Sequence, residues 1–357
     1  MRKLIYIWCF LFLSVLGYSQ IPQAYYSSTE GLIGHELRAA LHEIIKGHNV
    51  PSYNSLWTHF QTTDKKANGE VWDMYSDVPG GTPPYIYNFS VDQCGNYNAE
   101  GDCYNREHSW PKAWWGGSTG APMYSDLFHL YPTDGYVNNR RGNEPFGEVG
   151  NASWTSMNGS KLGTSNYSGW TGVTVFEPID EYKGDFARTY FYMTTRYYTE
   201  DASWPANYNS MVNKCEIKPK AMEMLLQWHE QDPVSQKEID RNNKVYQIQN
   251  NRNPFIDHPE FAYAIWDSDY ESIDQSFLKK VYMYPNPCDD YFKITGLQNI
   301  QNFSVEIIDF TGKTIYSKTQ KTPINEISVS TETWTKGCYI LKLMSDTEVL
   351  VKKLVKY

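Results

Sequence analysis

Apolar residues recur at helical spacing over residues 32–46, where Ile33, Leu37, Leu41, Ile44 and Ile45 share one stripe. Ser28 and Thr29 stand ahead of that stripe as caps, and Gly47 follows it as a stop. Residues 52–92 mix short apolar runs with Gly and Pro, the pattern of strands joined by turns. Residues 93–124 are loop-rich, and residues 126–131 read as a short strand. A helix carrying Val137, Asn138 and Arg141 is expected to begin at 132–134, with Thr133 as its N-cap. Residues 144–174 are rich in Gly, Ser and Asn, which predicts an irregular surface excursion. Residues 186–198 are apolar and aromatic enough for a buried helix. Pro219 opens another helix, in which Met222, Leu225, Leu226 and His229 share a face. Ser235 and Glu238 form a capping box for a helix reaching about residue 250, which Pro254 and Pro259 close.

The texture changes near residue 280. The run 284–287 (YPNP) signals a turn, and apolar–polar alternation follows over 292–294, 305–309, 327–329, 339–343 and 349–355, punctuated by Gly296, Gly312 and Gly337. Period-two strands with regular turns predict a small all-β sandwich. The expected plan is therefore α+β. A helix-and-short-strand domain occupies 21–270, a linker 271–281, and the sandwich 282–357. Residues 1–20 form a leader: Arg2 and Lys3, then an apolar run over 4–16, then a small, polar cleavage region. That run is too short to span a bilayer. The processed chain is expected to be soluble, exported and monomeric.

Export places Cys94, Cys103, Cys215, Cys288 and Cys338 in an oxidising compartment. Cys94 and Cys103 are close enough to pair, with two free thiols as the alternative. Cys288 and Cys338 have only each other as partners within the C-terminal part. The formal charge of −9 disfavours a broad nucleic-acid surface. Division of the chain sharpens this: residues 21–281 carry 21 Lys/Arg against 33 Asp/Glu, whereas residues 282–357 carry nine Lys against eight Asp/Glu. Any contact with a polyanion must come from a local cluster and a bound cation.

The densest chemistry lies in residues 103–111 (CYNREHSWP) and 126–143 (DLFHLYPTDGYVNNRRGN). Together they supply what phosphodiester hydrolysis needs. His108 is suited to taking a proton from water near neutral pH. Glu107 and Asn138 offer oxygen ligands to a hard cation that offsets charge on the phosphate. Arg140 and Arg141 can hold phosphate oxygens through paired N–H groups. Each signal alone is weak, because such residues are more often caps, surface charges or structural pairs. Glu107 and His108 also point to opposite faces of a regular strand, so they can share a site only at a strand end or a distortion.

These segments resemble the hallmark of the bacterial endonuclease I family, whose active site is a ββα-metal (His-Me) finger. Further segments resemble its later blocks: residues 176–178, 183–188 (KGDFAR), 192–193, 196–197, 238, 241–242 and 251–259 (NRNPFIDHP). The likeness covers about 25–267 in order. It implies His108 as general base, with Glu107 and Asn138 holding one divalent ion. Mg²⁺ is the first choice, with Mn²⁺ or Ca²⁺ as alternatives. It also implies a secreted endonuclease acting mainly on DNA, and RNA as a second substrate, with little sequence specificity and 5′-phosphate products. The rival of another class is a non-catalytic nucleic-acid or glycan binder on the same scaffold. The C-terminal segment is similar to the type IX secretion sorting domain. That likeness implies export through that machinery, followed by release or attachment at the cell surface.

Several other residues have mundane readings that outweigh chemical ones. His129 is expected to be structural, and Asp257 with His258 to fasten a turn rather than bind a second metal. Arg188 and Arg196 are expected to pair with Glu177, Asp180 or Asp185. Trp110, Trp114 and Trp115 suit either core packing or base stacking.

Overall fold

The computed structural model describes residues 21–267, 281–298, 300–345 and 349–357. The leader at 1–20 and the linker through residue 280 lie outside the described residues. Helix α1, Gly34–Ile45, buries Leu37, Leu41 and Ile45 on one stripe. Ser28 and Thr29 do not cap it. They belong to a preceding 3-10 turn, Ser27–Thr29, in which the Thr29 hydroxyl donates to the Tyr26 carbonyl. Residues 52–92 hold no strand. They form helix α2, Leu56–Thr63, burying Leu56, Phe60 and Thr63 at helical spacing. The rest of that stretch is irregular apart from a 3-10 turn, Tyr53–Ser55, and a bridge between Lys65 and Val71.

Strand β1, Tyr104–His108, and strand β2, Leu130–Asp134, pair antiparallel, with Glu107 opposite Tyr131 and His108 opposite Leu130. Helix α3, Gly135–Arg141, leaves β2 directly. The strand expected at 126–131 thus begins later, and Pro132 and Thr133 lie within it rather than start the helix. Asp134 is the N-cap, its Oδ1 accepting from the Val137 amide at 2.8 Å. The predicted surface excursion at 144–174 is instead a sheet of β3 (Val149–Thr155), β4 (Lys161–Ser165) and β5 (Thr174–Glu177), paired in that order.

Helix α4, Lys183–Tyr197, is buried along its whole length. Around it pack α1, helix α5 (Pro219–Gln231) and the short helix α7 (Pro254–Asp257). Between α4 and α5 lies a minimal hairpin, β6 (Val212–Asn213) and β7 (Glu216–Ile217). Phe186, Tyr190 and Phe191 are fully buried on α4. At roughly 1.5–3 kcal/mol for each large apolar side chain, this helix is a main source of core stability. Charges on α4 are paired, although the main partners of its two arginines are not the Glu177, Asp180 or Asp185 expected from sequence. Arg188 pairs with Glu238, fifty positions away, and lies 3.9 Å from Asp185; Arg196 pairs with Glu200; Lys183 takes Glu177 and Asp180. Gly184 lets α4 approach the chain after α5. A Cβ there would collide with the Asp232 carbonyl and stand 2.7 Å from the Arg188 guanidinium. Gly184→Ala is therefore expected to lower stability by about 1–3 kcal/mol or more, read as a shifted urea midpoint. An unchanged midpoint would show that the neighbouring backbone yields freely.

Helix α6, Gln236–Gln249, opens on the expected capping box of Ser235 and Glu238. Pro254 and Pro259 do not merely end it, for they begin α7 and α8 (Glu260–Trp266). Asp257 accepts from Arg252, Tyr26 and Asn242, and His258 pairs with Glu260, so the pair fastens this turn.

The C-terminal part contains β8 (Tyr282–Tyr284), β9 (Tyr291–Thr295), β10 (Phe303–Ile308), β11 (Thr314–Gln320), β12 (Glu326–Ser330), β13 (Gly337–Met344) and β14 (Val349–Lys356). They form a three-stranded sheet, β12-β9-β8, and a four-stranded sheet, β11-β10-β13-β14. Both enclose a core that includes Phe292, Ile294, Val305, Ile307, Leu341 and Leu343. Cys288 is buried and Cys338 exposed, each as a free thiol, so the pairing open to them is not made. The sandwich meets the helical domain through Tyr284, which packs with Val234 and Ile256 and donates to the Asp257 carbonyl at 2.9 Å. Among the described residues no helix is long and apolar enough to cross a membrane.

Candidate active site

Alternation along β1 sorts its residues by face. Asn105 and Glu107 meet α3: Asn138 Nδ2 donates to Asn105 Oδ1 at 2.7 Å, and Arg141 Nη1 donates to Glu107 Oε1 at 2.7 Å. Arg106 and His108 face the other way, into a set of aromatic rings. His108 is the last residue of the strand, the position from which an imidazole can escape strict alternation.

The His108 ring is half-buried and lies nearly parallel to Tyr53 and Tyr124, with centroids 5.9 and 5.4 Å away. His129 and Trp115 close its remaining sides, each with its centroid 5.5 Å away. Its Nε2 lies 2.9 Å from the Tyr124 carbonyl. A carbonyl oxygen only accepts, so Nε2 carries the proton and Nδ1 carries the lone pair. Burial, then the neighbouring His129, pulls the His108 pKa down to about 3, which keeps the ring uncharged at neutral pH. His129 is fully buried, with Nε2 at 2.5 Å from the Met123 carbonyl, and packs rather than protrudes.

Glu107 is buried, and its Oε1 accepts from both Arg141 and the Tyr75 hydroxyl, the latter at 2.9 Å. Burial raises its pKa, and the Arg141 guanidinium opposes that rise. Both of these side-chain bonds fall on Oε1, and the His108 backbone amide also donates to the carboxylate. Likewise the Asn138 amide nitrogen is committed to Asn105, which leaves the amide oxygen as the free end. One carboxylate oxygen and one amide oxygen are a donor set suited to a hard cation. Among the described residues there is no cluster of three or more His, Cys, Asp or Glu side chains able to hold a metal. Water and phosphate would have to supply the remaining ligands, as Mg²⁺ prefers.

The two arginines expected at the substrate part company. Arg140 is exposed, donating to the Tyr136 hydroxyl at 2.5 Å with its guanidinium 5.8 Å from the Trp154 ring centroid. Arg141 is fully buried. Besides Glu107 it donates to the carbonyls of His108, Ser109 and Glu144, and to the Tyr190 hydroxyl. Trp110, Trp114 and Trp115 are likewise buried, so they pack and do not stack on bases.

Cys94 and Cys103 are joined by a disulfide. The loop they close is fastened to the junction of β2 and α3. The Gly135 amide donates to the Cys103 carbonyl and the Gly101 amide to Asp134 Oδ2. Tyr97, from the same loop, lies so close over Gly135 that a Cβ there would stand 2.6 Å from its ring. Nearby, Asp73 accepts from the Asp134 amide, and burial beside Asp134 pushes its pKa up to about 7.

Sequence reasoning passed over Asn105, Tyr75 and Tyr124. Period two placed Asn105 on the face of Glu107 and was a usable signal. Tyr75 arrives from a distant turn and Tyr124 from the 3-10 turn Pro122–Ser125, and they had none.

Comparisons with known proteins bear on both domains. Residues 33–260 match the family model described as Endonuclease I. Residues 282–357 match that of the secretion system C-terminal sorting domain. An extracellular ribonuclease of Bacillus amyloliquefaciens is 35% identical over 257 residues, covering 71% of this chain and 81% of that protein. An extracellular ribonuclease of Bacillus subtilis (strain 168) is 35% identical over 244 residues, covering 68% and 78%. A segment amounting to 23% of this chain matches 12% of the solved chain of PorZ, a surface component of the type-IX secretion system of Porphyromonas gingivalis, at 25% identity and TM-score 0.20.

Proposed function

Because the chain belongs to the endonuclease I family and ends in a sorting domain that sends it out of the cell, we propose that this secreted nuclease is a divalent-metal-dependent endonuclease whose β1, β2 and α3 form a ββα-metal finger. The observation that carries this reading is the tautomer of His108. Its Nε2–H is spent on the Tyr124 carbonyl, and Nδ1 is left as a neutral base at the end of the strand that also carries Glu107. His108 takes a proton from the attacking water at Nδ1. Glu107, held by Arg141 and Tyr75, and Asn138, turned by Asn105, present oxygens to one cation. Bound there, that cation would offset charge on the phosphate oxygens and the leaving 3′ oxygen, giving 5′-phosphate ends. Arg140 meets a phosphate from the exposed end of α3. Arg141, with its N–H groups engaged internally, is assigned to holding Glu107 and the end of β1.

Neither chemistry nor geometry selects the sugar. The notion of DNA as main substrate rests on family likeness, whereas the names of the two Bacillus relatives argue for RNA as well. We therefore assign both, cut without sequence preference. Plasmid DNA and a structured RNA, incubated with the purified protein, are expected to be cleaved in Mg²⁺. EDTA is expected to stop both reactions and added Mg²⁺ to restore them. Full cleavage in chelator would remove the metal from the mechanism. Binding of either polymer without cleavage would favour the scaffold-binder reading.

A further inference from the structure

The nuclease part is strongly acidic, so what matters for substrate binding is which cations are left free for phosphate. Of the eight arginines in residues 21–267, six form ion pairs with carboxylates. The other two, Arg106 and Arg140, have no carboxylate partner among the described residues, and both lie on the unit built from β1, β2 and α3. Arg140 stands at the end of α3. Arg106 stands on the opposite face of β1, beside His108.

Arg106 is held in place by neutral groups. Its Nη1 donates to the Tyr53 carbonyl at 2.8 Å, and its guanidinium lies 3.7 Å from the Tyr53 ring centroid and 4.4 Å from that of Trp57. Orientation is thus fixed while the charge stays uncompensated. Lys112 follows the same logic from the other end of one aromatic stack. It is exposed and has no carboxylate partner among the described residues. Its ammonium lies 5.8 Å from the centroid of Tyr124, whose ring stacks on Tyr53 at 4.2 Å. His108 lies against both tyrosines. Two unpaired cations therefore flank the imidazole through the rings that hold it.

We infer that Arg106 and Lys112 form a phosphate-binding subsite on the His108 side of the active centre, which takes backbone phosphates of a polynucleotide next to the one being cut. This rests on the nuclease reading and extends it. An acidic protein without a broad basic face should bind a polyanion through few contacts, all of them local. Each phosphate contact releases condensed counterions, so the logarithm of the binding constant falls with the logarithm of salt concentration by about 0.7–0.9 per contact.

The test is binding of a fluorescent single-stranded oligonucleotide, read by anisotropy in EDTA over a range of NaCl concentrations, for wild type, Lys112→Gln, Lys112→Arg and Arg106→Gln. Lys112→Gln and Arg106→Gln are each expected to weaken binding and to flatten the salt slope by about 0.7–0.9. Lys112→Arg is expected to keep the slope. Circular dichroism checks Arg106→Gln, which also loses its stack, whereas Lys112 is exposed and carries the test without that concern. Wild-type slopes in both glutamine variants would overturn the subsite and leave the nuclease reading standing. A wild-type protein that neither binds nor cuts nucleic acid would overturn both.

Discussion

Replacing His108 with alanine is expected to lower turnover on plasmid or RNA by on the order of 10²- to 10⁴-fold while leaving the fold intact. The size follows from the loss of a positioned proton acceptor. The tolerance follows from place: His108 ends its strand, is half-buried, and spends its single hydrogen bond on a loop carbonyl. The two parts of the expectation are checked separately, by initial rates at saturating Mg²⁺ and by the thermal midpoint. Cleavage near the wild-type rate would reject His108 as the base. A collapsed midpoint with matching loss of activity would assign it to packing against Tyr53 and Tyr124 instead.

Arg141→Met is expected to act chiefly on stability, by about 3–5 kcal/mol in urea unfolding. Removal of the guanidinium strands the buried Glu107 carboxylate. It also leaves the carbonyls of His108, Ser109 and Glu144 without this donor. An unpaired buried charge is costly whatever replaces its partner. Adding Glu107→Gln to Arg141→Met should recover part of the loss, because the stranded charge is then gone; the coupling in that double-mutant cycle measures the pair. The opposite outcome is equally readable. A wild-type urea midpoint together with weakened substrate binding would return Arg141 to the phosphate-contacting role that its place beside Arg140 first suggested.

Elements were legible in the sequence where burial imposed a period. The stripe of α1, the proline opening α5, the capping box of α6 and the alternation in β9, β10 and β13 all announced themselves. Helix α2 did not, because it is only eight residues long and stands beside Gly- and Pro-bearing runs that suggested strands. β3 was hidden for another reason. It is exposed over most of its length, so its composition looked like loop. Residues 126–131 misled because Leu127 and Phe128 are buried in a turn, and burial alone does not distinguish a turn from a strand. At the site, Glu107, His108 and Asn138 could be picked out because their order and spacing match a family. The structure places all three on one strand–strand–helix unit. What could not be read was how they are held. Arg188 reaches Glu238 and Tyr75 reaches Glu107, across separations that only the fold can close.

The covalent tie between Cys94 and Cys103 has a consequence for timing. It anchors the loop whose Tyr97 lies over Gly135, at the root of the helix that carries Asn138. In the thiol-reducing cytoplasm that tie is absent, and the loop bearing Tyr97 is then held by packing and by its hydrogen bonds to Asp134 and Gly135. On the role proposed for Asn138, that side of the site has one restraint fewer where the producing cell keeps its own chromosome and gains it on export.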